Sequence, residues 1–287
     1  MNAIARIGVD LSKNVMRIHA VDHMGRVVVR KAVTRANFLN WFVNVPPCLV
    51  AREACSGAHY WARRLRELGH EVRLIPPQFV ARYRKGGARM KNDALDAEAI
   101  CEAASRPHMR FVPPRSPAQQ GVLVLHRLRS GYVEERTGLV NRIRGLLSEF
   151  GVFIPQGIHR LHSLFLQHVE DASNELPGIA REALMRAWQH WHALDLEIAW
   201  FDRLIAAHAR EDEHAARCMD MCGVGPLTAS ATVATIADVH QFKNGRQMAA
   251  WLGTVPKRLV QPSRARGDAS PLLFRGRAIR NPLTKKR

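Results

Sequence analysis

Two short apolar runs, each leading to an acid, constrain this chain more than any other feature. Ala3-Ile4-Ala5-Arg6-Ile7-Gly8-Val9 is closed by Asp10, and Cys48-Leu49-Val50-Ala51 leads through Arg52 to Glu53. Runs of this length and composition read as buried strands, so each acid falls at a strand end. A third acidic element carries Asp93 and Asp96 within Lys91-Asn92-Asp93-Ala94-Leu95-Asp96-Ala97-Glu98-Ala99-Ile100. A spacing of three places both acids on one helix face. Four carboxylates so arranged offer the oxygen ligands that hard divalent ions take. Two Mg²⁺ ions roughly 3.5–4 Å apart can clamp the attacking and leaving oxygens of a phosphodiester. Taken singly, Asp10 reads as well as a turn residue and Glu53 as an acid at the start of a helix over Ala54–Leu68. Asp93 alone reads as an N-cap. Their joint occurrence points to a site.

The elements around these acids follow an α/β order. Ile4–Val9, Val15–Val21 and Val27–Ala32 read as strands, with Asp22-His23-Met24-Gly25 as a hairpin turn. Leu39–Val43 reads as a short helix, Leu49–Arg52 as a buried strand, Tyr60–Leu68 as a helix and Glu71–Ile75 as a strand. Pro76-Pro77 stops that strand. Hairpin strands followed by strand–helix–strand is the order of an RNase H-like or RuvC-like domain. Phe79–Arg89 is basic and contains glycine, and reads equally as a loop over nucleic acid or a solvated helix end.

Beyond Pro113-Pro114 the spacing becomes helical. Val122, Leu125, Tyr132, Leu139, Ile143, Leu146, Leu147 and Phe150 recur at steps of three and four, with arginines on other faces. Leu184, Trp191, Ile198 and Ile205 repeat every seven residues, with Leu194 and Phe201 between them. Such a heptad seam closes either on the earlier helix or on a second copy of the chain. Met221–Ala229 then reads as a helix–hairpin–helix. Gly223 and Gly225 allow a tight turn whose amides, at a helix N-terminus, can hold a phosphate.

Three segments carry a resemblance to one family. They are Gly8-Val9-Asp10-Leu11-Ser12-Lys13, Arg52-Glu53-Ala54-Cys55-Ser56-Gly57-Ala58-His59-Tyr60-Trp61 and Lys91-Asn92-Asp93-Ala94-Leu95-Asp96-Ala97. In this order they resemble the DEDD-type insertion-sequence transposases of the IS110/IS1111 family, over about Ile4 to Pro256. The resemblance implies a RuvC-like N-terminal nuclease domain and a C-terminal transposase domain. It implies that Asp10, Glu53, Asp93 and Asp96 are the catalytic, metal-binding tetrad, with Mg²⁺ as cofactor in a two-metal site. It also implies DNA as substrate, a structured guide RNA and a homo-oligomer, dimer or tetramer. The expected domains are a RuvC-like domain at 1–112, a helical coiled-coil-like segment at 113–212, a partial transposase domain with the helix–hairpin–helix at 213–256, and a basic tail at 257–287. Arg89, Lys91, Gly223 and Gly225 are the expected nucleic-acid contacts.

Charge agrees with such partners. The chain carries 43 Lys and Arg against 25 Asp and Glu, a formal charge of +18. That excess favours a polyanion through phosphate contact and counterion release. No apolar stretch approaches the ~20 residues of a membrane span, and charges interrupt any signal-peptide core near the N-terminus. Five cysteines without a zinc spacing read as reduced, mostly buried thiols of a cytoplasmic protein, and the family resemblance implies a bacterial, nucleoid-associated one.

One departure bears on activity. In the family, the Trp-Leu-Gly-x-x-Pro element leads to a Ser-Gly element with a catalytic serine. Here Trp251-Leu252-Gly253-Thr254-Val255-Pro256 is followed around Val260 and Gln261 by no serine, and Ser263 and Ser270 lack the Ser-Gly context. Lys257 to Arg287 carries ten Lys and Arg against Asp268 alone. A frameshift or truncation would account for this, and strand exchange through the serine is expected to fail. Three other readings compete: a Holliday-junction endonuclease, a nucleic-acid-binding remnant or regulator without chemistry, and an actin-like or sugar-kinase-like ATPase, against which this sequence shows no second phosphate-binding loop.

Overall fold

A computed structural model describes residues 3–11, 14–84 and 93–254, with Asp93 described by its backbone alone. The chain opens with three antiparallel strands, β1 (Arg6–Leu11), β2 (Val15–Val21) and β3 (Val27–Thr34). The turn between β2 and β3 is held by Asp22, whose Oδ1 accepts the backbone N–H of Met24 and of Arg26, each at 2.9 Å. Gly25 supplies the positive φ of 79° that this turn requires. A short helix α1 (Phe38–Val43) leads to β4 (Leu49–Glu53), then α2 (Ala58–Glu67) and β5 (Glu71–Ile75). The sheet order is β3-β2-β1-β4-β5, with β1, β4 and β5 parallel.

Alternation along the strands splits the side chains between two cores. Ile7, Val9, Val50 and Leu74 face α1 and α2, where Phe38, Phe42, Trp61 and Leu65 complete one cluster. Phe38 packs edge-on to Phe42 and Trp61, with ring centroids at 4.9 and 5.1 Å. On the other face, Ala51 and Ile75 meet α3 (Pro77–Val80) and α4 (Asp93–Ala103) through Val80, Ala99, Ile100 and Ala103. A 3₁₀ turn at Ala81–Tyr83 follows α3. The central parallel strands are thus covered on both faces, as their uninterrupted apolar runs require.

The remaining helices form a second compact unit over 117–236, while 237–254 group with the first. Helix α5 (Pro117–Ser148) and α7 (Gly178–Glu211) run antiparallel, tied by Arg129–Asp202 and by Arg136–Asp195 at 2.7 Å. Helix α6 (Ile158–Glu170) covers one end of the pair, its Phe165 stacked flat on Trp188 at 4.4 Å. The heptad residues Leu184, Trp191, Leu194, Ile198, Phe201 and Ile205 are all buried. Trp191 and Leu194 belong to the core that α5 and α6 complete, and Phe201 meets Tyr132 of α5 at 5.7 Å. The seam therefore closes within the chain.

Helices α8 (Glu213–Met219) and α9 (Pro226–Thr235) follow and pack on each other and on α7. Asp212 caps α8 through the N–H of Ala215 at 2.9 Å. A 3₁₀ turn at Val239–Gln241 and helix α10 (Gly245–Leu252) end the described chain. Asn244 caps α10 on the N–H of Gln247, and Gly253 closes it at φ 76°. No helix among the described residues is long and apolar enough to cross a membrane.

Candidate active site

Glycine 8 is where this site begins. A Cβ built there would lie 2.2 Å from the carbonyl oxygen of Ala97 and 2.5 Å from the backbone N of Cys101. Only glycine lets α4 descend onto β1 so closely, backbone against backbone. Asp10 is two residues further along β1 and so faces the same side as Gly8. Val9 pairs with Arg52 across the parallel β1–β4 ladder, which sets Asp10 and Glu53 side by side at the strand ends. Glu53 shares the face of Ala51, again the face that α4 covers. Asp96 immediately precedes Ala97 and is buried, with 4% of its surface exposed.

Neither Asp10 nor Glu53 takes the ordinary role open to it in the sequence. Asp10 lies within β1 rather than in a turn, and Glu53 ends β4 five residues before α2 starts. Asp93 is the first residue of α4, one turn before Asp96.

A single cation joins two of these acids. Arg84 Nε lies 2.6 Å from Oδ1 of Asp96, and its Nη2 lies 4.0 Å from Oε2 of Glu53. The Nε contact lacks the alignment of a hydrogen bond, so it is an ion pair held by charge. Among the described residues no group of three or more His, Cys, Asp and Glu stands close enough to hold a metal ion, with the Asp93 side chain outside that count. The carboxylate oxygens nevertheless suit a hard divalent cation. The positive charge found between Glu53 and Asp96 is the guanidinium of Arg84.

A second arginine, not singled out by sequence reasoning, underlies the site. Arg52 is fully buried, flanked across the sheet by Val9 and Leu74, and its Nε, Nη1 and Nη2 have no hydrogen-bond partner. Burial pulls its pKa down to about 9, and the neighbouring Arg35 adds to this, while Cys55 and Asp10 act against it. Its only sequence signal is a charge inside an otherwise apolar strand.

Beside the acids, α4 and the β2–β3 hairpin enclose a groove of about 190 Å³ lined by Arg17, His19, Arg30, Lys31, Ala94, Leu95 and Glu98. Arg17 pairs with Asp10 across the β1–β2 ladder, so cationic surface adjoins the acidic strand end directly. Gly223 and Gly225 lie in the other unit, in the exposed turn between α8 and α9. Gly223 has φ 84°, and Gly225 is the extended N-cap of α9. Arg89 and Lys91 lie outside the described residues, as does the tail at 257–287.

Comparison with known proteins gives the family. The DEDD transposase family of the IS110 type matches residues 7–152, which take in both strands and α4. The transposase IS116/IS110/IS902 family matches residues 215–259. A probable family 20 transposase of Pseudomonas aeruginosa is 48% identical over 255 residues, covering 88% of this chain and 75% of its own. A transposase for insertion sequence element IS1328 of Yersinia enterocolitica is 39% identical, covering 90% and 75%. One for element IS1111A of Coxiella burnetii is 36% identical, covering 90% and 70%. An α/β sheet with acids at its strand ends, joined to a helical part, is thus that of a DNA transposase by resemblance. The chain belongs to the IS110 family of insertion-element transposases and spans about three quarters of these relatives' length.

Proposed function

We propose that Asp10, Glu53, Asp93 and Asp96 form the metal-dependent cleavage site of a RuvC-like domain spanning 1–112. The observation that carries this is the convergence of Glu53 and Asp96 on one cation, at the strand end that Asp10 shares. When bound, Mg²⁺ would supply Lewis-acid stabilisation of the attacking and leaving oxygens of a phosphodiester, from one or two positions. The chain's own residues do the rest. Glu53 and Asp96 would hold the ions from a largely dry face, and α4 fixes the direction of approach by its seat on Gly8. Arg17, and Arg30 beyond its 3.5 Å pair with Glu98, would steady the flanking phosphates.

The helical segment at 113–212 and the helix–hairpin–helix at 213–256 belong to the same proposal. The amides at the start of α9, behind Gly223 and Gly225, would hold a phosphate without reading sequence. Arg89 and Lys91 would contact nucleic acid through their charge, and a chain of charge +18 would lie on the nucleoid in a bacterial cytoplasm. A structured guide RNA would choose the target, and copies of the chain would assemble as a dimer or tetramer. The exposed Leu196, Trp200 and Leu204, spaced by four on α7, support that assembly. Without a Ser-Gly element after Pro256, residues 1–287 alone should cut but not complete strand exchange.

Purified protein should nick branched and linear DNA in the presence of Mg²⁺, and Asp10→Ala should lower the rate at least about a hundredfold. Salt-sensitive binding without Asp10-dependent cleavage would instead make this a DNA-holding remnant. Efficient recombination by this chain would refute the impairment.

A further inference from the structure

We propose that Arg84 is the resident counterion of the acid site, occupying the space between Glu53 and Asp96 until a divalent cation displaces it. The proposal rests on the metal-site reading above. The side chains of Arg84, Glu53 and Asp96 are 28, 17 and 6% exposed, so water screens this contact only in part. Carboxylates gathered without a cation repel one another. A permanently charged guanidinium removes that repulsion but supplies only N–H donors and no Lewis acidity.

The anchoring of Arg84 fits this role. It follows the 3₁₀ turn at Ala81–Tyr83, and Tyr83 packs with Phe79 against the Ile100 and Ala103 cluster of α4. The backbone is therefore held against the same helix that carries Asp96, while the long side chain spans to both acids. Because the 2.6 Å contact is not an aligned hydrogen bond, charge alone holds it. A divalent ion carries twice that charge and competes directly for the same oxygens. Removing Arg84 acts twice in one direction: it frees the Asp96 oxygen, and it leaves more negative charge for the incoming ion.

The test is calorimetric titration of Mn²⁺ into the full chain, its Arg84→Ala and Arg84→Gln variants, and a Glu53→Gln/Asp96→Asn control. Both Arg84 variants should bind Mn²⁺ on the order of tenfold more tightly than the parent, and the control should bind far more weakly. In metal-free buffer Arg84→Ala should melt below the parent and should recover when Mn²⁺ saturates. Arg84→Gln, which keeps most of the side-chain volume, serves if the alanine variant fails to fold. Unchanged or weaker Mn²⁺ binding in the variants, with an acid-dependent parent, overturns the role of Arg84 and leaves the metal site standing. No acid-dependent Mn²⁺ binding in any protein overturns both.

Discussion

At Arg52 a guanidinium lies fully buried between Val9 and Leu74 with none of its nitrogens hydrogen-bonded. Burying a charge costs several kcal/mol unless partners repay it, and the acid nearest in charge terms, Asp10, acts from the neighbouring strand. Arg52→Met should therefore raise the free energy of unfolding by about 1–3 kcal/mol, measured by urea denaturation at neutral pH. The sign of the pH effect follows from burial. The folded-state pKa near 9 lies well below that of the unfolded chain, so between the two the unfolded chain binds more protons. The cost is thus complete at neutral pH and is relieved as pH rises through that window. A stability loss in Arg52→Met would show that Asp10 more than compensates the buried charge. The four candidate acids stand out in the sequence because each has a distinctive flank. Arg52 does not, because burial depends on which face of β4 is covered by α1 and α2.

Helix α4 carries Asp96 onto the sheet, and its position depends on one missing methyl group. Gly8→Ala would drive a Cβ into the backbone at Ala97 and Cys101, which no rotamer change can relieve. We expect a destabilisation of about 2–3 kcal/mol by thermal denaturation. Divalent-ion binding should be lost together with it, because Asp96 moves with the helix. A Gly8→Ala protein of full stability and unchanged Mn²⁺ affinity would disprove this account of the site. Most elements were legible from periodicity: β2 and β5 lie where their patterns end, β3 runs two residues further, and β1 is shifted by two residues at both ends. The heptad on α7 could be read, but its partner could not. A seam of Leu184, Trp191 and Ile198 satisfies a second copy or a neighbouring helix equally well, and only packing with α5 and α6 decides it.

At the scale of the whole chain, two units carry separate cores and should respond separately to acid. In the helical unit, His126 of α5 lies buried with Nε2 2.9 Å from Oγ of Ser230 on α9. Burial first, then His208 and Arg129, lower its pKa from 6.5 to about 4. The unfolded chain therefore binds the proton more readily between those values. Stability of this unit is full above pH 6.5 and falls as pH drops toward 4, by up to about 3 kcal/mol. Scanning calorimetry at pH 7 and pH 5 should show a helical transition lowered by acid, and His126→Gln should flatten that dependence. An acid response identical in the variant would place its origin elsewhere.

The sequence by itself determined the family and the alternation of strands and helices, because these depend on residue type and local spacing. Tertiary structure decided what local spacing cannot carry. It selected the face of β4 on which Arg52 is buried, the helix that closes the α7 seam, and the depth to which α4 sinks onto Gly8. It also brought Arg84 between Glu53 and Asp96, residues 43 apart in the chain, because an ion pair between remote segments depends on how the chain folds back and not on local spacing.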